Sequence, residues 1–200
     1  MTQNNTTPLP HLLLVDDDRL VLSTLALGLQ QAGYRITSAE SAEEAEAFLA
    51  SGDRPDMAIL DIRLSGSSGL YLAERLQQLD RIPFVILSAY SDQPMIDQAT
   101  HLGALGYWVK PMDIPKLVPA LEAALARADE LQELRVSRQQ LQAALDAERN
   151  INVAVGITMM QFHLKRNDAF NKLRNAARTQ RCKLVDLANE IVQAGEALSL

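Results

Sequence analysis

Several side chains suited to phosphate or metal chemistry stand at the ends of short apolar runs. Leu12-Leu13-Leu14-Val15 leads into Asp16-Asp17-Asp18, and Met57-Ala58-Ile59-Leu60 into Asp61. Phe84-Val85-Ile86-Leu87 leads into Ser88-Ala89, and Tyr107-Trp108-Val109 into Lys110-Pro111. Short apolar runs bounded by turn-forming residues read as strands of a parallel sheet covered on both faces. Ligands of such sheets bind in the crevice at the carboxyl ends of the strands. One edge of one fold therefore gathers carboxylates, a hydroxyl and an ammonium. Carboxylates held together raise each other's pKa unless a cation stands among them. A few hard oxygen ligands with room for water suit Mg²⁺.

The elements that must position these groups are legible between the strands. Asp18 caps a helix from about Arg19 to Ala32, with Leu22, Leu25 and Leu29 on one face and Gly33 as its stop. Tyr34 to Ala39 is a second strand, and Ser41 with Glu44 makes a capping-box pattern for a helix closing near Ser51-Gly52. Helices are expected from about Gly69 to Leu79, from Asp92 to about Leu102 and from about Ile114. Five strand–helix units with right-handed crossovers make a doubly wound, five-stranded parallel α/β domain. Thr2 to Pro10 is expected to be a disordered leader.

The helix after the last strand does not stop where such a domain should. From Leu117 to Arg149 there is no glycine, and its prolines, Pro115 and Pro119, lie near its start. Leu131, Leu134, Leu141 and Leu145 occupy alternating a and d sites of a heptad, with Arg138 at the intervening a site, a seam for a dimeric coiled coil. The bland alternative is a solvated helical linker with one apolar stripe. Residues 151–200 then read as three short helices: Ile151 to about Leu164, Asp168 to about Thr179 after a polar break at Lys165-Arg166-Asn167, and Lys183 to about Ala194 before Gly195. The expected division is thus 11–125, 126–150 and 151–200.

Charge divides along the same line. Residues 1–150 hold 12 Lys+Arg against 21 Asp+Glu, a net −9, and residues 151–200 hold 7 against 4, a net +3. The tail's cations are Lys165, Arg166, Lys172, Arg174, Arg178, Arg181 and Lys183. They form either an anion-binding surface or an ordinary solvated basic face. The single Cys182 excludes an internal disulfide framework and suits a reducing compartment. No early run has signal-peptide form and no span approaches membrane length, so a cytoplasmic protein is expected.

Residues 11 to about 125 resemble the receiver domain of two-component response regulators. The marks are the acidic pair Asp16-Asp17, the LDIRL segment around Asp61, Ser88 before a small residue, and Tyr107 with Lys110-Pro111. The resemblance implies a flavodoxin-like fold and phosphorylation of Asp61 by a sensor histidine kinase. It also implies Mg²⁺ held directly by Asp17 and Asp61, by Asp16 through water, and by the backbone carbonyl of Arg63. Lys110 would pair with phosphoryl oxygens and the Lys110–Pro111 peptide would be cis. Ser88 would donate to a phosphoryl oxygen, and Tyr107 would swing inward as Ser88 moves. Ser65 stands where the family often has proline, which loosens the loop. Aspartate-nucleophile phosphatases, the enzyme class that also uses such a carboxylate, need a second Asp where Arg63 stands.

Residues 151–200 resemble the ANTAR output domain of transcription antiterminators. The marks are Ala154, Gly156 and Met159, then Asp168-Ala169-Phe170, Leu173-Arg174, Ala177, Lys183-Leu184, Ala188 and Ile191-Val192, mostly core-type residues. The resemblance implies a small all-α domain that binds RNA hairpins of leader transcripts, with a homodimer suiting two hairpins. The family commonly has lysine between that Ala and Gly, and this chain has Val155, so RNA binding leans on other cations. The alternative is an active receiver whose tail only dimerises or binds a protein. DNA binding ranks lower, because the tail has no clear turn and recognition helix.

Overall fold

The computed structural model describes residues 9–65 and 68–197, the side chains of 195–197 excepted. Most of the expected leader, up to Pro8, and Gly66-Ser67 of the loop after Asp61 lie outside the described residues. The elements run β1 (His11–Val15), α1 (Arg19–Gln31), β2 (Arg35–Ala39), α2 (Ala42–Ala50), β3 (Met57–Leu60), α3 (Gly69–Arg75) and β4 (Phe84–Ser88). There follow α4 (Gln93–His101), β5 (Tyr107–Val109), α5 (Ile114–Phe162), α6 (Arg166–Gln180) and α7 (Leu184–Ala197). By packing, the chain divides between Leu131 and Gln132.

The first unit is a five-stranded parallel sheet in the order β2-β1-β3-β4-β5. β1, β3 and β4 are buried on both faces, which is why their sequences are unbroken apolar runs rather than alternating ones. One face packs Leu13, Leu60, Leu72, Leu76 and Phe84 with α2 and α3. The other packs Leu12, Leu29, Met57, Leu117 and Leu121 with α1 and the start of α5. Each such fully buried side chain contributes about 1.5–3 kcal/mol relative to exposure.

Local chemistry sets the ends of these elements. Both Asp18 carboxylate bonds go to the first turn of α1, from Leu20 N at 2.9 Å and Val21 N at 3.2 Å. Ser41 Oγ accepts from Glu44 N at 3.2 Å, while Glu44 reaches back to Glu40 N at 2.7 Å, one residue beyond the usual capping-box donor. The expected helix to Leu79 stops being α-helical at Arg75 and continues as a π turn over Leu76–Asp80. That wider turn brings Asp80 within 3.4 Å of Arg75 Nε, five residues back, and Arg81 ends it with a left-handed φ of 55°.

The second unit departs from the expected three separate helices. α5 runs through the anticipated junction at 150–151 without a break and ends only at Phe162, where His163 turns left-handed at φ 51°. Arg166 and Asn167, read as part of a polar break, are the first turn of α6, since nothing in their backbone opposes helix. α7 passes through Gly195 to Ala197, because a lone glycine costs a helix only about 1 kcal/mol. Ala154, Val155, Ala169, Leu173, Ala177, Leu187 and Ala188 form the core of this unit. Among the described residues no helix is long and apolar enough to cross a membrane.

Candidate phosphorylation site and basic output unit

In this strand order β1 and β3 are neighbours from which the chain winds in opposite directions, so their carboxyl ends open the crevice of the sheet. Asp16 and Asp61 leave the sheet there, pinned by backbone bonds from Asp16 N to the Ala39 carbonyl at 3.2 Å and from Asp61 N to the Val15 carbonyl at 2.9 Å. Lys110 arrives from β5, its backbone N bonded to the Ser88 carbonyl at 2.9 Å. The Lys110–Pro111 peptide is cis.

Lys110 Nζ donates to Asp16 Oδ2 at 2.5 Å and to Asp61 Oδ2 at 2.6 Å. The other oxygen of each carboxylate accepts a backbone N–H, Asp16 Oδ1 from Asp18 at 3.1 Å and Asp61 Oδ1 from Arg63 at 3.2 Å. Asp16 and Asp61 are buried at 5% and 9% exposure, so the ammonium is what makes two adjacent carboxylates tolerable. Burial pushes the Asp16 carboxyl above the ordinary carboxylate value, against the opposing pull of Lys110. Burial alone would lower Lys110, but its hydrogen bonds to Asp16 and Asp61 outweigh it and hold the ammonium above its usual value.

The other expected site residues surround this ion triad. Asp17 is exposed and accepts from Ser65 Oγ at 2.6 Å, so Asp16, not Asp17, shares the ammonium with Asp61. Ser88 is fully buried, and among the described residues its Oγ has no hydrogen-bond partner of ordinary geometry. Such an orphaned hydroxyl costs free energy unless something else claims it. The Tyr107 hydroxyl donates to the Tyr90 carbonyl at 2.8 Å. Burial raises the Tyr107 phenol above its ordinary pKa, Asp92 and Asp61 push the same way, and the Ser88 hydroxyl opposes. Arg63 turns outward and stacks its guanidinium over the Tyr90 ring, 3.7 Å from the centroid.

Two features of the site carried no sequence signal. Tyr90 links Arg63 to Tyr107 through its ring and its carbonyl, and nothing in its neighbours' types foretold that. Gly69 opens α3 beside the Asp61 backbone, where a Cβ would overlap the Asp61 carbonyl oxygen.

In the second unit all seven expected cations are exposed. Among the described residues none of them forms a salt bridge; Arg166 donates to Asn152 Oδ1 at 2.9 Å, and Lys172 lies 4.4 Å from the Phe162 ring centroid. Val155 is buried at 3% in the core, so this chain spends that position on packing. Phe170, one of the marks of the output domain, lies outside that core at 37% exposure.

An Asp–Asp–Lys triad at the switch point of a 2-1-3-4-5 parallel sheet is the arrangement of receiver domains. Residues 12–122 match the response regulator receiver domain, and the chain belongs to that family. Residues 139–192 match the ANTAR domain, so the receiver is joined to an ANTAR output unit. It is similar to the transcriptional regulatory protein PdtaR of Mycobacterium tuberculosis, with 27% identity over 92% of this chain and 89% of that one. Among solved structures, the non-phosphorylated HemR receiver domain of Leptospira biflexa is 32% identical, with a TM-score of 0.52 over 58% of this chain and 94% of that one. The chemotaxis protein CheY4 of Vibrio cholerae is 27% identical, with a TM-score of 0.54 over 58% of this chain and 98% of that one.

Proposed function

We propose that Asp61 accepts a phosphoryl group from the phosphohistidine of a sensor kinase, and that the modified receiver controls RNA-hairpin binding and transcription antitermination by the output unit. The carrying observation is the Lys110 ammonium bridging Asp16 and Asp61 at 2.5 and 2.6 Å beside the orphaned Ser88 hydroxyl. An Asp61 oxygen attacks phosphorus, the new O–P bond forming as the N–P bond to the donor imidazole breaks. Lys110 exchanges its carboxylate partner for a phosphoryl oxygen, and Ser88 donates to another. With Ser88 drawn toward the phosphoryl group, Tyr107 leaves the Tyr90 carbonyl and turns inward. The added charge of about −2 is thereby read as a change in the face of α4 and β5.

Among the described residues no group of three or more His, Cys, Asp or Glu side chains is gathered as a metal cage, and Asp17 accepts from Ser65 Oγ at 2.6 Å. The donor chemistry nonetheless fits a hard divalent cation: carboxylate oxygens at Asp16, Asp17 and Asp61, with the Arg63 carbonyl beside them. Bound Mg²⁺ would neutralise charge on the incoming phosphoryl group. The chain is a phosphoprotein switch in the cytoplasm, not an enzyme.

Residues 11–125 serve as receiver, 126–150 as coiled-coil connector and 151–200 as output. Dimerisation draws support from Leu134, Leu141 and Leu145, which stand 63%, 64% and 53% exposed along α5. The cations Lys165, Arg166, Lys172, Arg174, Arg178, Arg181 and Lys183 track RNA phosphates. The competing reading, a tail that only dimerises or binds protein, draws on Val155, which brings no cation where the family has one. Filter retention of leader-hairpin RNA separates the two. Beryllofluoride with Mg²⁺ should raise retention by the wild-type chain and leave Asp61→Asn unchanged; no retention in either state overturns the RNA reading.

A further inference from the structure

The chain has four phenylalanines, and the two units use them differently. Phe84 is 1% exposed in the receiver core and Phe48 packs against it. In the output unit, whose core is built of Ala, Val and Leu, both Phe162 and Phe170 stay outside, 48% and 37% exposed. An aromatic ring left open on a basic surface suits stacking on an unpaired base.

The two rings are not equivalent. Phe162 already carries the Lys172 ammonium over its face at 4.4 Å. On α6, Asp168 lies one turn before Lys172 and faces the same way, and it is the only carboxylate of that helix. Phe170 lies on the other flank. Asn167, Phe170, Asn171, Arg174 and Arg178 follow helical spacing along one face, all of them exposed. That face carries two cations, two amides and one ring, and no carboxylate of α6. Among the described residues neither Arg174 nor Arg178 forms a salt bridge, so both charges are available to phosphates.

We infer that Phe170 is a stacking platform for an unpaired loop base of an RNA hairpin, with Arg174 and Arg178 holding the phosphates beside it. This rests on the RNA-binding reading above and adds to it a division of labour on one helix face. The arginines supply affinity for any paired stem, and the ring supplies preference for a loop.

The full chain with beryllofluoride and Mg²⁺ is used to enrich hairpins from a pool with a constant stem and a randomised loop. Enriched hairpins are then compared with the same stem sequence as an uninterrupted duplex. Phe170→Leu should lose at least about tenfold affinity for the hairpins, with duplex binding and the salt slope unchanged. Phe170→Tyr should bind as wild type, and light scattering should give the same mass for all three proteins. Hairpin binding unchanged in Phe170→Leu overturns the platform and leaves the RNA reading standing. Equal loss on hairpin and duplex, or a fall in mass, also overturns it, assigning the ring to folding or to a contact between chains. If the wild-type chain enriches no hairpin, the RNA reading itself fails and the platform with it.

Discussion

Gly69→Ala tests whether the Asp61 site depends on a backbone contact. Gly69 N donates to the Ile62 carbonyl at 2.8 Å, which draws the first turn of α3 against the residues leaving β3. A Cβ there would overlap the Asp61 carbonyl oxygen and lie 3.2 Å from Ile62 Cα, both backbone atoms that no rotamer change can move. Restoring ordinary contact distances of about 3.5 Å or more requires a backbone shift on the order of 1 Å. Overpacking of this kind costs about 1–3 kcal/mol. The same shift displaces the attacking carboxylate, and a misplacement of about 1 Å can slow a positioned reaction on the order of a hundredfold. Trp108, the only tryptophan, reports unfolding of the receiver unit in urea, and acetyl phosphate labelling reports the rate. Gly28→Ala is the control, because the three nearest atoms its Cβ would meet all belong to the Ile114 side chain rather than to backbone, and helix propensity offsets about 1 kcal/mol of the crowding. Wild-type stability and labelling in Gly69→Ala would refute the reasoning.

Other perturbations probe the remaining parts. His11 is buried, its Nδ1 accepting from Arg35 at 2.7 Å and its Nε2 meeting Thr37 Oγ1 at 2.8 Å. Burial first, and Arg35 second, lower its pKa below the ordinary 6.5. The unfolded chain then takes up the proton more readily, so stability contributed above about pH 6.5 falls as the pH drops toward the folded pKa. The urea midpoint of His11→Gln should therefore vary less between pH 7.5 and 5.5 (about the range where histidine titrates) than that of wild type; equal variation would remove His11 from the account. Leu134→Glu with Leu141→Glu should weaken dimerisation by more than about tenfold, since each leucine buried at a seam is worth about 1.5–3 kcal/mol. Light scattering checks it, and an unchanged mass counts against the seam. Arg174→Ala with Arg178→Ala should weaken hairpin binding and flatten its log–log salt slope by about 0.7–0.9 per lost phosphate contact; an undiminished slope assigns the phosphates to other residues.

How much was legible in the sequence follows from how local each cause is. The strand tips at Asp16, Asp61 and Ser88 were readable because a strand buried on both faces writes itself as an apolar run, and Lys110 because it follows the short apolar run of the half-buried β5. Asp18 and Ser41 were readable as caps because capping acts over three residues. What escaped depends on distant neighbours or on competition between weak local terms. Ser65 reaches Asp17 across 48 positions, and Tyr90 meets Arg63 across 27. Gly69 reads only as a helix start until its approach to Asp61 is seen. Arg166 and Asn167 looked like a break because they are polar, yet polar residues disfavour a helix only slightly. Phe170 was legible only as one mark of the output domain, and only the fold reveals its ring at the surface.

The most direct measurement is peptide mass mapping of the chain after exposure to acetyl phosphate and Mg²⁺, run beside Asp61→Asn. One phosphoryl group on the peptide containing Asp61, absent from the variant, is the expected result. A phosphoryl group carried elsewhere, or retained by the variant, would contradict the assignment of Asp16, Asp61 and Lys110 as a phosphoryl-accepting triad.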